Sequence, residues 1–142
     1  MNESTSNHKR MQHSMSTSSI NSMSNSNSSS AVVLVSASMY TSLSDPRFSF
    51  AIQTCRQAGT SKLPLVICDD SSDPTIISQL NVLGNGFVTA FKMPGPGKKG
   101  AAIRYAVAKA MEKFPDCKAL AFFEMEKVRA LLMLLLLLFL YY

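Results

Sequence analysis

Three short stretches carry the side chains that could do chemistry. Asp69 and Asp70 close the apolar run LPLVICDD. Gly97, Lys98, Lys99, Gly100 and Arg104 lie in and just after the loop PGPGKKG, and Glu124 and Glu126 flank Met125 after ALAFFE. Small residues let a backbone approach a ligand closely, and a helix amino terminus beside Lys98, Lys99 and Arg104 favours a pyrophosphate. The helix dipole contributes only about 0.3 to 1 kcal/mol, so the side-chain charges must supply much of that attraction. Glu124 and Glu126 offer two hard oxygen ligands on one side of a strand end, a set suited to Mg or Mn bridging a diphosphate. Plainer readings stand beside these. They are a solvated strand-end pair at Asp69 and Asp70, a Gly/Pro turn with solvated lysines, and a charge cluster of Glu124 and Glu126 with Lys127 and Arg129.

The glycine loop is not a P-loop. GxxxxGK[ST] would have to follow the first strand, whereas this loop follows the third and has Ala101 after Gly100. Gly95, Gly97 and Gly100 give the bare GxGxxG spacing, again after the wrong strand for a dinucleotide fingerprint. His8 and His13 lie in a Ser/Asn-rich leader and carry no metal signal.

The elements that must position these residues alternate regularly. AVVLVSAS (31–38) is a continuous run rich in β-branched residues, the pattern of a parallel strand covered on both faces. Asp45-Pro46 opens a helix with Phe48, Ile52 and Cys55 on one face, and Gly59 is expected to stop it. LPLVICDD (63–70) reads as the second strand. Asp73-Pro74 follows as a cap and first-turn proline, with Ile76, Ile77 and Leu80 before Gly84. FVTAFKM (87–93) is the third strand. From Ala101 the spacing of Ile103, Val107, Ala110 and Phe114, with Ala106 and Met111 beside it, predicts a helical face ending at Pro115. ALAFFE (119–124) is the fourth strand. Such alternation implies right-handed crossovers and an α/β fold with a doubly wound, mostly parallel sheet, whose ligand crevice lies beyond the carboxyl ends of the strands. All three chemical stretches follow strand ends, as that geometry requires.

Together these stretches carry a resemblance. PLVICDDSSDPTIISQL resembles the family-two glycosyltransferase stretch in which a hydrophobic strand ends in Asp-Asp-Gly-Ser-x-Asp. GKKGAAIRYAVAKA is similar to that family's Gly-Lys-Gly helix opening, and DCKALAFFEMEK falls where the family has its Asp-x-Asp strand end. The resemblance implies a nucleotide-diphospho-sugar transferase-like fold, present to its fourth strand, and a nucleoside-diphosphate sugar as the ligand. An aspartate of the first motif, Asp69 or Asp70, would take the base. Gly97, Lys98, Gly100 and Arg104 would take the diphosphate, and Glu124 and Glu126 would hold Mg or Mn. Asp73 is expected to cap the following helix instead. The family's acceptor site and catalytic base belong to the half of the domain beyond Lys127, so binding rather than transfer is expected of residues 31–127, and the acceptor is not identified. A non-catalytic nucleotide-binding or membrane-attached regulatory fragment is the alternative, with a nucleotidyltransferase third.

The ends differ in composition from this middle. Residues 1–30 hold 12 Ser and 5 Asn with few aliphatics, too little apolar surface to offset backbone ordering, and are expected to be disordered. They lack the apolar run of a secretory signal. Residues 130–142 are unbroken apolar sequence after Glu124, Glu126, Lys127 and Arg129. Thirteen helical residues span about 20 Å at ~1.5 Å each, short of a ~30 Å hydrocarbon core. Two readings of residues 128–142 follow. One is a short membrane-contacting segment with Lys127 and Arg129 at the interface. The other is translated intron, because Val-Arg can be encoded by GTAAGA or GTAAGG, which reads as a splice donor.

The net charge of +5 is spread from Lys9 to Arg129 without an Arg-rich stripe, which argues against nucleic-acid binding. Cys55, Cys68 and Cys117 have no CxxC spacing and are expected as free thiols. The expected location is the cytoplasm or the cytoplasmic face of a membrane.

Overall fold

The computed structural model describes residues 31–95, 97–127, 129, 131–133 and 136–137. The expectation of disorder for residues 1–30 lies outside them. Four strands and three helices alternate: β1 (Val32–Ser38), α1 (Pro46–Thr60), β2 (Leu65–Asp69), α2 (Pro74–Leu83), β3 (Val88–Lys92), α3 (Lys99–Lys113) and β4 (Ala119–Phe122).

Local chemistry sets the helix starts. Asp45 accepts from the Arg47 backbone N–H, and Asp73 accepts from that of Thr75 at 2.9 Å. Each is followed by a proline, whose fixed φ suits the first turn and whose missing N–H is no loss there. Gly59 does not stop α1; the helix runs through it to Thr60 and is capped by Ser61, whose N–H reaches the carbonyls of Gln57 and Gly59. The glycine serves packing instead. A Cβ at Gly59 would stand 2.8 Å from the Gly84 carbonyl oxygen, so its absence lets the ends of α1 and α2 meet.

All strand pairs are parallel, in the order β3-β2-β1-β4. The fold is thus a Rossmann-like α/β sheet with helices on both faces. Leu34, Leu65 and Ile67 pack with Phe48, Ala51 and Cys55 of α1 and Ile76 and Leu80 of α2. Val33, Val35, Val66 and Cys68 meet α3 on the opposite face. Alternation along β1 and β2 therefore feeds two cores, which is why these strands read as unbroken apolar runs.

On α3 the fully covered residues are Ala102, Ala106 and Ala110. The larger residues expected to lead that face flank it, with Ile103 and Val107 half-buried and Met111 60% exposed. Alanines let the helix lie close to a sheet already filled by valines. Asn81 of α2 closes the outer edge of β3, donating to the Ala90 carbonyl at 2.9 Å and accepting its N–H at 2.8 Å.

The chain steps outward from β1 to β3, then crosses back through α3 to lay β4 on the other side of β1. This reversal opens a crevice between the carboxyl ends of β1 and β4. After β4 the backbone stays attached to the fold. Ser36 Oγ donates to the Phe123 carbonyl at 2.6 Å, and Thr54 Oγ1 donates to the Met125 carbonyl at 2.9 Å. Leu131 is fully buried in the α1/α2 core with Phe123 and Met125. Leu131, the second residue of the apolar run, thus packs inside the fold. No helix among the described residues is long and apolar enough to cross a membrane.

Candidate functional site

A cavity of about 510 Å³ occupies the switch point, within the roughly 300–1,000 Å³ of small-molecule sites. Ala37, Ser38 and Met39 at the end of β1 form its base, and Gly97, Lys98, Lys99 and Ala102 form the α3 wall. Asp70 enters from beyond β2, Met93 from beyond β3, and Glu124 and Glu126 from beyond β4.

The two aspartates of the first motif part ways. Asp69 is wholly buried, and its carboxylate accepts from Ser38 Oγ at 2.6 Å, Ser71 Oγ at 2.9 Å and Ser71 N–H at 3.0 Å. Ser71 Oγ in turn accepts the Tyr40 N–H at 2.8 Å. Asp69 is a clasp between the ends of β1 and β2 and is not among the residues that line the cavity. Asp70, with a side chain 39% exposed, lines the cavity and has Lys92 Nζ 3.5 Å away; Lys92 donates more closely, at 2.7 Å, to the Ser71 carbonyl.

The glycine loop is divided in the same way. Gly97 and Lys98 line the cavity, whereas Gly100 lies in the first turn of α3 and Arg104 one turn further, both outside the lining. A Cβ at Gly97 would come within 2.8 Å of Ala101 Cβ and would overlap the end of Met93, so glycine here sets the width of the α3 wall. Lys98 is the N-cap of α3 and makes no side-chain capping bond. The start of that helix, whose dipole carries a partial positive charge, therefore lacks a side-chain capping oxygen at the cavity wall.

Glu124 is held by two lysines. Its Oε1 is 2.8 Å from Lys99 Nζ and its Oε2 is 2.9 Å from Lys127 Nζ. The hydrogen bonds from Lys99, then Lys127, push its pKa down from 4.5 to about 2. Among the described residues Glu126 and Lys98 make no ion pair, and no group of three His, Cys, Asp or Glu gathers as a metal cluster would require. A divalent cation on Glu124 and Glu126 would have to displace two ammonium groups at contact distance.

Arg47, in the first turn of α1, is a lining residue that the motifs did not single out. It grips Asp45 through Nε at 3.1 Å and Nη2 at 2.8 Å and donates to the Met39 carbonyl at 3.2 Å. That fork holds the Asp45 carboxyl well below the usual range. The signal was available in the order of elements, because the first turn of the helix after β1 lies at the same end of the sheet as the crevice. Met39 and Met93 carried no such signal.

The Tyr40 hydroxyl is buried and has no hydrogen-bond partner among the described residues, and burial pushes its pKa up. Burial also raises the thiols, Cys55 to about 12 and Cys68 to about 11, which makes them packing groups rather than nucleophiles.

Compared with models of known families, with curated proteins and with solved structures, the chain matches none.

Proposed function

We propose that the crevice binds a nucleoside-diphosphate sugar, as the donor-binding part of a glycosyltransferase with a nucleotide-diphospho-sugar transferase-like fold. The observation that carries this reading is that Asp70, Lys98, Lys99 and the uncapped start of α3 line one cavity of ligand size. Asp70 is the carboxylate that accepts from a base N–H. Gly97 lets the diphosphate approach the backbone, and Lys98 and Lys99 neutralise it. Arg104 and Gly100 take no direct part, and Asp69 holds the loop that presents Asp70. Transfer to an acceptor is left to a general base outside these residues. The free thiols, two of them deeply buried, suit a reducing compartment such as the cytoplasm.

Thermal unfolding of the whole chain with uridine or guanosine diphosphate sugars, and separately with nucleoside triphosphates, tests the reading. Each ligand is tried with manganese and with a chelator. A donor at a hundred times its Kd adds about 2.7 kcal/mol to stability. Asp70→Asn is expected to weaken that shift without changing the melting temperature of the free protein. A shift with triphosphates alone would favour nucleotidyl transfer, and no shift with any nucleotide would overturn the proposal.

A further inference from the structure

We infer that Glu124 is an internal stand-in for the ligand's phosphate, occupying Lys99 until a diphosphate displaces it, and that this exchange needs no divalent cation. The inference rests on the donor-binding reading above and concerns how the same cavity changes hands between anions.

The geometry is specific. Each Glu124 oxygen takes one lysine, Oε1 from Lys99 and Oε2 from Lys127, at 2.8 Å and 2.9 Å. The two lysines differ in where they are anchored. Lys99 belongs to the first turn of α3 and lines the cavity, and its ammonium also sits 5.8 Å from the centre of the Phe122 ring. Lys127 is three residues from Glu124 and lies outside the cavity lining, with its own N–H bonded to the Glu124 carbonyl at 2.9 Å. When Lys99 turns to a bound diphosphate, Lys127 still satisfies Glu124, so the carboxylate is not left facing the incoming charge without a counter-ion. The side chains are 59%, 33% and 67% exposed for Lys99, Glu124 and Lys127, and pairs so open to water are weak enough to exchange. A diphosphate brings more negative charge than one carboxylate and finds Lys98 beside Lys99 in the same lining. Glu124 sets the threshold for binding.

The opposite sign of two substitutions separates this device from a metal site. Inorganic pyrophosphate is titrated calorimetrically into the full chain in chelator. The wild type is expected to bind, and Glu124→Gln to bind more tightly, by up to about fivefold, the upper end of what an exposed ion pair is worth. Lys127→Met is expected to bind more weakly, because it leaves Lys99 as the only counter-ion of Glu124. In a Lys99→Met background, Glu124→Gln is expected to bring no gain. Melting temperatures of all variants, read in the same buffer, show whether each is folded. Tighter binding by Glu124→Gln together with the loss of that gain in Lys99→Met supports the inference. Unchanged or weaker binding by folded Glu124→Gln, or no binding by any variant, overturns it. So does a requirement for manganese that Glu124→Gln abolishes. In that last case diphosphate sugars still stabilise the wild type with manganese, and the donor reading survives the loss of this one.

Discussion

Replacing Asp69 by alanine would strip three buried donors, Ser38 Oγ, Ser71 Oγ and Ser71 N–H, of their acceptor. Leaving buried polar groups unpaired costs roughly 1–3 kcal/mol, so Asp69→Ala should show a clear drop in urea midpoint while Asp70→Asn leaves it in place. Equal effects of the two would remove the division of labour between them. Glu124 makes a different prediction, through pH. Its folded pKa of about 2 lies below the ordinary 4.5, so the unfolded chain takes up the proton first. Its contribution is whole above pH 4.5, declines as pH falls towards 2 and is gone below that. The wild type should therefore melt above Glu124→Gln at pH 6, with the gap closing by pH 2; a gap constant across that range would contradict the pairing.

Among the elements, the glycines test what their positions mean. Gly59 and Gly100 both lie inside helices, where alanine ordinarily gains about 1 kcal/mol. At Gly100 the added Cβ meets only Arg104 Nη1 at 3.9 Å, so Gly100→Ala should raise the melting temperature and leave ligand binding intact. At Gly59 it would press on the Gly84 backbone at 2.8 Å and force α1 from α2, so Gly59→Ala should lower stability. Thermal melts of the pair decide the matter, and two increases would mean the α1–α2 contact is looser than described. The starts of α1 and α2 were legible beforehand because an Asp-Pro pair acts within its own turn, whereas α3 begins at Lys99, two residues before the expected Ala101, with no side-chain cap to mark it. The end of α1 was not, because Gly59 answers to Gly84, which belongs to another helix. The buried stripe of α3 was misread for a related reason. Periodicity marks a helix face, but the choice between Ala106 and Ile103 as its centre depends on how much room Val33, Val35 and Val66 leave on the sheet.

For the molecule as a whole, Leu131 joins the tail to the body. It is fully buried with Phe123 and Met125, although it stands at the head of an apolar run whose composition suggested something foreign to the domain. Leu131→Ala should cost about 2–5 kcal/mol if this packing holds, as a buried leucine does elsewhere. A change below measurement in chemical unfolding would detach the tail from the fold. Leu132, Met133, Leu136 and Leu137 remain exposed, so the described part of the tail presents one residue inward and several outward.

The order of strands and helices, their parallel sense and the end of the sheet at which polar residues gather were all readable along the chain. Those follow from apolar runs, caps and crossover handedness, which act over a few residues or by chain connectivity alone. Tertiary structure decided which of those polar residues face the crevice. Asp69 was withdrawn by a serine 31 residues earlier, and Glu124 was claimed by a lysine 25 residues before it. Arg47 was brought to the rim from a helix start whose motif announced only a cap. A side chain's role is fixed by the partner within 3 Å of it, and distance through space between remote residues is the quantity that spacing along a chain does not contain.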